Sequence, residues 1–198
     1  MTTDLEISSV IDELDALRNS RDDHWQVPRV EGELLYHIAL AIDARTLVEV
    51  GTSYGFSGLF WGAALRRTGG TLHTIDASQK KYDSSRQTFA RAGLGRTIKN
   101  HLGDAREVLT KLLRDLPAPI DLAFIDADKP ATRAYFDLLW PKVRPGGSVL
   151  TDNATTHREE LADFIRHVRS LPDASSIEVA VGNGVEWTLK LPTGRSVE

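Results

Sequence analysis

The chain has 198 residues, of which 41% are hydrophobic and 26% charged, and its formal net charge is -4. This composition predicts one globular domain over residues 1–198, and the acidic balance gives no electrostatic reason to expect a polyanion as the main partner. The absence of cysteine excludes disulfides, thiolate metal sites and cysteine nucleophiles. No apolar stretch approaches the roughly 20 residues of a membrane span, so we expect a cytoplasmic protein that does not enter the membrane.

The first 42 residues are predicted to form two helices that cover the domain. Apolar residues at positions 7, 10, 11, 14 and 17 share one face of a helix over about 4–20. This face is also a candidate surface for a homodimer. Pro28 suits the first turn of the second helix.

Strand and helix patterns alternate after this region. Strands are predicted at 47–50, 71–75, 97–102, 120–125 and 147–151, and helices at 57–67, 79–92, 105–115, 131–140 and 157–170. Alternation with apolar strands predicts a parallel, doubly wound α/β sheet covered on both faces. Two further strands, 177–181 and 185–191, flank the hairpin signal Gly182-Asn183-Gly184, so the last strand is expected to be antiparallel.

A glycine-containing turn follows the first of these strands. The stretch reads Leu47-Val-Glu-Val-Gly-Thr-Ser-Tyr-Gly-Phe-Ser57. Glycines at 51 and 55 let the backbone approach a ligand closely, and Glu49 adds a carboxylate. The stretch lacks both the G-x-G-x-x-G spacing and a phosphate-binding lysine. It therefore indicates a ligand that carries positive as well as negative charge, with an ordinary strand-to-helix turn as the alternative.

Polar residues follow all five predicted parallel strands, where a doubly wound sheet binds its ligand. They are Gly51-Thr-Ser-Tyr-Gly55, Asp76-Ala-Ser78, Gly103-Asp-Ala105, Asp126-Ala-Asp-Lys129 and Asp152-Asn153. Asp76 is placed to accept hydrogen bonds from ribose hydroxyls, and Asp104 could border an adenine. For both aspartates the alternative is a helix N-cap.

Three of these residues have the chemistry of a cation site. Asp126, Asp152 and Asn153 supply the hard oxygen ligands that Mg²⁺, Mn²⁺ and Ca²⁺ prefer, although a turn or cap would also explain the last two. Lys129 is by default an exposed loop residue, but in a desolvated pocket beside a cation it can accept a proton. His157 could act near the metal, but it is more simply explained as a solvated residue at a helix end.

These motifs, in this order and spacing, resemble the cation-dependent S-adenosylmethionine O-methyltransferases. That family includes the catechol and caffeoyl-coenzyme A O-methyltransferases and bacterial relatives. The resemblance covers about residues 25–191, and its most specific part is Asp126-Ala-Asp-Lys129 together with Asp152-Asn153. It implies a Rossmann-like class I methyltransferase fold, with a seven-stranded, mostly parallel sheet and an antiparallel last strand.

The resemblance also implies the site residues. The cofactor-binding positions would be Val27, Glu49, Gly51, Thr52, Ser53, Gly55, Ser57, Asp76, Ala77, Asp104, Ala105 and Asp126. Asp126, Asp152 and Asn153 would bind the metal, and the catalytic residues would be Asp126 and Lys129, the latter as the base. Many members have Glu where Asp76 stands, and the segment after Asn153 is shorter than the insertion that often shapes the acceptor pocket in plant enzymes.

The leading expectation is therefore an enzyme that transfers the methyl group of S-adenosylmethionine to a hydroxyl of a small, catechol-like acceptor. Mg²⁺ is the expected cation, with Mn²⁺ or Ca²⁺ as alternatives. Methylation of hydroxyuridine in transfer RNA is a second possibility on the same fold. An NAD-dependent oxidoreductase, which the glycine spacing and the terminal hairpin disfavour, and a non-catalytic cofactor-binding protein are alternatives of other classes.

Overall fold

The computed structural model describes residues 2–18, 23 and 26–192. The helices are α1 (Thr2–Leu17), α2 (Arg29–Ala41), α3 (Phe56–Thr68), α4 (Gln79–Arg91), α5 (Ala105–Asp115), α6 (Thr132–Leu139) and α7 (Arg158–Arg169). The strands are β1 (Thr46–Val50), β2 (Thr71–Asp76), β3 (Ile98–Leu102), β4 (Ile120–Ile125), β5 (Val143–Thr151), β6 (Ala174–Val179) and β7 (Val185–Lys190). Short 3-10 turns at Lys129–Ala131 and Trp140–Lys142 flank α6.

The strands form a seven-stranded sheet in the order β3-β2-β1-β4-β5-β7-β6. Strands β1 to β5 pair in parallel, whereas β7 runs antiparallel to both β5 and β6. The sheet confirms the predicted Rossmann-like fold with an antiparallel last strand. Because the direction of strand succession changes between β1 and β4, their carboxyl ends open the crevice in which such folds bind ligands.

Two apolar layers hold the sheet from its opposite faces. On one face α1 to α4 bury a cluster that includes Leu35, Trp61 and Phe89. On the other face α5 to α7 bury a cluster that includes Leu109 and Phe136. Apolar burial of this kind contributes about 25 cal/mol per Å² of surface removed from water. Packing on both faces fixes the strands, and with them the loops at their carboxyl ends.

The apolar face of α1 is used inside the chain. Ile7, Val10, Ile11 and Leu14 are buried, and α1 contacts α3 and α4. The apolar face of α1, which we considered as a homodimer surface, is therefore largely covered. A homodimer stays a prediction, but this face no longer supports it. None of the helices in the described ranges is long and apolar enough to cross a membrane.

Three elements differ from the sequence predictions by two or more residues at an end. Helix α1 covers 2–17 rather than 4–20, and positions 19–20 lie outside the described residues. Strand β5 begins at 143 rather than 147, because Pro145-Gly-Gly147 is accommodated in the strand, with Gly146 at φ +76°, beside a shift in the β4–β5 register. Strand β6 covers 174–179 rather than 177–181, since the residues that follow form the turn into β7.

Candidate active site

A cavity of about 1020 Å³ opens beyond the carboxyl ends of the parallel strands. Its wall includes, among the predicted site residues, Gly51, Ser53, Asp76, Ala77, Asp104, Ala105, Asp126, Lys129, Asp152 and Asn153. The volume lies at the upper end of the range for small-molecule sites. One cavity thus brings together predicted cofactor and metal residues from five strand ends.

The glycine turn after β1 packs directly on its neighbours. Gly51 has φ +103°, and a Cβ at this position would collide with the backbone oxygen of Asp126. Gly55 has φ +92° and abuts the ring of Phe89. Only glycine adopts such conformations without strain. The turn therefore lies as close to the end of β4 as the backbone allows, and its residues Gly51 and Ser53 line the cavity.

Asp76 ties the glycine turn to the end of β2. Its carboxylate accepts hydrogen bonds from the backbone N–H of Ser53 and of Ser78, both at 2.8 Å. Helix α4 is capped instead by the Ser78 hydroxyl, which accepts from Lys81 N at 3.4 Å. Asp104, by contrast, does cap α5, accepting from the N–H groups of Arg106 and Glu107. The alternative cap interpretation thus holds for Asp104, which nevertheless also lines the cavity.

Glu49 forms a polar network beneath the turn. It is fully buried and accepts hydrogen bonds from Ser57 Oγ at 2.7 Å and Thr74 Oγ1 at 2.5 Å. The hydroxyl of Thr52 lies 2.6 Å from that of Thr74. Burial raises the pKa of Glu49 to about 7, although the hydroxyl donors oppose the rise. Val27 is also buried. Five of the predicted cofactor residues do not line the cavity itself, namely Val27, Glu49, Thr52, Gly55 and Ser57.

The opposite end of the cavity concentrates acidic groups. Lys129 Nζ lies 3.5 Å from Asp126 Oδ1 and donates a hydrogen bond to the backbone oxygen of Ala127 at 3.0 Å. Desolvation raises the pKa of Asp126, the carboxylate of Asp152 raises it further, and Lys129 opposes both. The Asp126 carboxyl group is therefore held between the carboxylate of Asp152 and the side chain of Lys129, which act on its ionisation in opposite directions.

The donor set fits a hard cation in its chemistry but contains only two carboxylates. Asp152 is buried, and Asn153 holds a left-handed conformation at φ +69° that turns the chain immediately after it. The side-chain nitrogen of Asn153 donates to Thr156 Oγ1 at 3.1 Å. Within the described ranges, no group of three or more histidine, aspartate and glutamate side chains is arranged to hold a metal ion. An amide oxygen and water would have to complete the shell around Asp126 and Asp152.

Two residues of this acidic end were missed in the sequence. Glu31 of α2 is fully buried, and Asn183 of the β6–β7 turn lines the cavity. Burial and the nearby Asp152 raise the pKa of Glu31. A signal existed, because Glu31 shares the inward helical face with Leu35 and Ile38, where a charged side chain is out of place. His157, for which we considered a role near the metal but favoured a solvated helix end, also lines the cavity.

A doubly wound sheet with a left-handed glycine turn and a cavity beyond the carboxyl ends of its strands is the architecture in which α/β proteins bind nucleoside-containing cofactors. The family described as "Methyltransferase domain" matches residues 48–154, and the chain belongs to this family. Among curated relatives, a catechol O-methyltransferase of Niastella koreensis is 32% identical over 123 residues, covering 62% of this chain and 55% of the relative. A caffeoyl-CoA O-methyltransferase of Zea mays is 30% identical over 176 residues, covering 84% and 66%.

Solved structures extend the likeness to the whole fold. An O-methyltransferase from Bacillus cereus in complex with SAH has a TM-score of 0.81 at 25% identity, covering 92% of this chain and 90% of that chain. The O-methyltransferase TomG from Streptomyces achromogenes, in complex with SAM, has a TM-score of 0.79 at 27% identity over the same shares. The matches span only about half to two thirds of the length of the curated relatives named above.

Proposed function

We propose that this protein is an S-adenosylmethionine-dependent O-methyltransferase that requires a divalent cation and methylates a hydroxyl of a small, catechol-like acceptor. The observation that carries the proposal is the pairing, in one cavity, of a nucleoside-type end at Asp76 with an acidic end at Asp126 and Asp152. Membership of the methyltransferase domain family supports the methyl-transfer reaction over the NAD-dependent alternative.

The cofactor is assigned to the end of the cavity formed by β1, β2 and β3. Asp76 already accepts two backbone hydrogen bonds, and a carboxylate has about four acceptor positions, so two remain for the ribose hydroxyls. Gly51 and Ser53 present backbone to the methionine part of the cofactor, and Asp104 and Ala105 border the adenine position. The complexes of the Bacillus cereus and Streptomyces achromogenes enzymes with SAH and SAM support this choice.

The cation is assigned to Asp126, Asp152 and Asn153. Their oxygen atoms suit Mg²⁺ or Mn²⁺, and a positive ion would relieve the repulsion between the two carboxylates. When bound, the cation would supply Lewis-acid polarisation of the acceptor hydroxyl.

Lys129 is the proposed base. Its side chain is only 12% exposed and is held next to Asp126 and the Ala127 carbonyl, on the cavity wall. It would take the proton of the acceptor hydroxyl as the oxygen bonds to the methyl group and the bond between that methyl group and the sulfonium sulfur breaks, which leaves SAH. General base catalysis of this kind supplies about 10²- to 10⁴-fold in rate. The remaining acceleration would come from holding the acceptor oxygen in line with the methyl donor.

The test is methyl transfer from radiolabelled S-adenosylmethionine to catechol, measured after exhaustive chelation and again after Mg²⁺ or Mn²⁺ is restored. Resorcinol, whose two hydroxyls are not adjacent, is the matched control acceptor because it cannot chelate one ion. We expect transfer to catechol only with the cation, and little transfer to resorcinol under either condition. Equal methylation of catechol with and without divalent ions would refute the cation requirement.

A further inference from the structure

Glu31 is a buried carboxyl group that the reaction as proposed does not use. Its side chain is fully enclosed where α2 meets the β6–β7 turn. Oε2 accepts a hydrogen bond from the backbone N–H of Asn183 at 2.9 Å, and the carboxyl group also lies within hydrogen-bonding reach of the Asp152 side chain. Burying a carboxyl group beside a second carboxyl group costs free energy that burying an apolar residue would not. A role in packing alone therefore does not account for Glu31.

Asn183 connects Glu31 to the acidic end of the cavity. Its side-chain nitrogen donates to Asp152 Oδ2 at 3.2 Å. Its backbone oxygen accepts hydrogen bonds from the N–H groups of Thr155 and Thr156, both at 3.1 Å. Asn183 is thus bonded at once to α2, to Asp152 and to the segment after β5.

The turn that carries Asn183 is shaped to make these contacts. Gly182 has φ +62°, and a Cβ there would collide with the carboxylate of Glu31. Gly184 has φ +84°, and a Cβ there would collide with Thr155. The oxygen of Gly184 accepts from Ala154 N at 2.8 Å. The turn is therefore pressed against both partners and has little freedom to relocate Asn183.

We propose that Glu31 and Asn183 are positioning residues, which hold Asp152 Oδ2 in the orientation that a divalent cation requires. The inference rests on the proposed function, because it assigns the cation to Asp152. Asn183 fixes one oxygen of Asp152 through its side chain, and Glu31 fixes Asn183 through its backbone. The backbone N–H of Asn153 holds the other oxygen, Oδ1, at 2.5 Å. Partners of this kind, one bond beyond the ligand, typically change metal affinity by about 10- to 100-fold when removed.

The experiment measures Mn²⁺ affinity by electron paramagnetic resonance with saturating SAH, and SAH affinity by calorimetry. Asn183→Ala and Glu31→Ala should weaken Mn²⁺ binding by about 10- to 100-fold and change SAH affinity by less than about twofold. Glu31→Gln, which keeps the shape and an acceptor for Asn183 N–H, should restore Mn²⁺ affinity to within about threefold of the original protein. Melting temperature is recorded for every variant, and Asn183→Ala keeps the test available if Glu31→Ala does not fold.

Glu186→Gln is the matched control. Glu186 is also fully buried and lies only three positions after Asn183, but its carboxylate is bonded by Arg169 and Ser176. We expect it to leave Mn²⁺ affinity unchanged. Unaltered Mn²⁺ affinity in Asn183→Ala would overturn the inference. So would a parallel loss of melting temperature, SAH affinity and Mn²⁺ affinity, which indicates a purely structural role. If the unmodified protein binds SAH but no Mn²⁺, the cation part of the proposed function fails first, and the inference fails with it.

Discussion

Carboxylates have different surroundings at the two ends of the cavity. One is the end proposed for the cofactor, and the other is the acidic end, where the acceptor is proposed to bind. At the cofactor end, neutral donors surround the acids: two hydroxyls bond Glu49, and two backbone N–H groups bond Asp76. At the acceptor end, Glu31, Asp126 and Asp152 lie near one another, and burial and mutual proximity raise the pKa of the first two.

The difference indicates at which end the protein alone satisfies the carboxylates, and at which end a bound proton or cation is needed. At the cofactor end, neutral donors from the protein itself satisfy and orient the acids through hydrogen bonds. Adjacent carboxylates at the acceptor end repel each other unless a proton or a cation compensates them. The comparison therefore predicts that changes at one end act on cofactor affinity, and changes at the other on cation affinity and turnover.

Asp152→Ala should produce the largest effect. Removing this ligand should lower methyl transfer by at least about 10⁴-fold, because the cation's stabilisation of the acceptor oxygen, several kcal/mol, is lost. Affinity for SAH should change by less than about threefold, since Asp152 lies at the other end. Asp163→Ala, at an exposed position of α7, is the control. Turnover and calorimetry on both variants check this. A loss of SAH affinity that matches the loss of turnover would dissolve the distinction between the ends.

Lys129→Ala should reduce turnover by about 10²- to 10⁴-fold, the range that general bases supply. Mn²⁺ affinity should change only modestly, because Lys129 is not among the proposed ligands. The pH dependence of single-turnover rates should lose the limb that belongs to the base. Lys111→Ala, an exposed lysine of α5, provides the comparison. An unchanged rate in Lys129→Ala would remove it from the reaction.

Asp76→Ala should weaken S-adenosylmethionine and SAH binding at least about tenfold, because charge-assisted hydrogen bonds contribute about 1.5 to 3 kcal/mol each. It also frees Ser53 N–H at the glycine turn. Mn²⁺ affinity should stay within about twofold. Calorimetry on this variant and on Asp83→Ala, an exposed acid of α4, measures both effects. Wild-type SAH affinity in Asp76→Ala would exclude it from the cofactor site.

The pKa of Glu49 predicts a smaller, pH-dependent effect on the cofactor end. Burial raises this pKa from 4.5 to about 7, so the folded state binds the proton more tightly than the unfolded state. Unfolding free energy must then fall as pH rises from about 4.5 to 7, by at most about 3 kcal/mol. Glu49→Gln has no such titration, so its melting temperature relative to wild type should increase between pH 5 and 7.5. If the melting temperatures of Glu49→Gln and wild type changed with pH in the same way across that interval, Glu49 would have an ordinary pKa.

The sequence predicted the parts of the molecule that depend on local patterns. Short sequence patterns of a few residues define the apolar strands, the glycine turn and the polar residues after each strand. The observed sheet confirms the fold that they predicted. Strand β5 was predicted too short, because Pro145-Gly-Gly147 is typical of a turn. Glu31 and Asn183 were missed for a different reason. Their contact joins positions 152 residues apart, and no pattern among neighbouring residues of the sequence predicts it.

That separation along the chain also orders the assembly of the two ends. The glycine turn and Asp76 follow β1 and β2, and the hydrogen bond from Ser53 N–H to Asp76 spans 23 residues. The link from Glu31 to Asn183 needs almost the entire described chain. On a ribosome, the segment that holds the cofactor emerges first, and the turn that orients Asp152 emerges after β6. A nascent chain stalled before this turn would present its acidic groups without the residue that links Glu31 to Asp152.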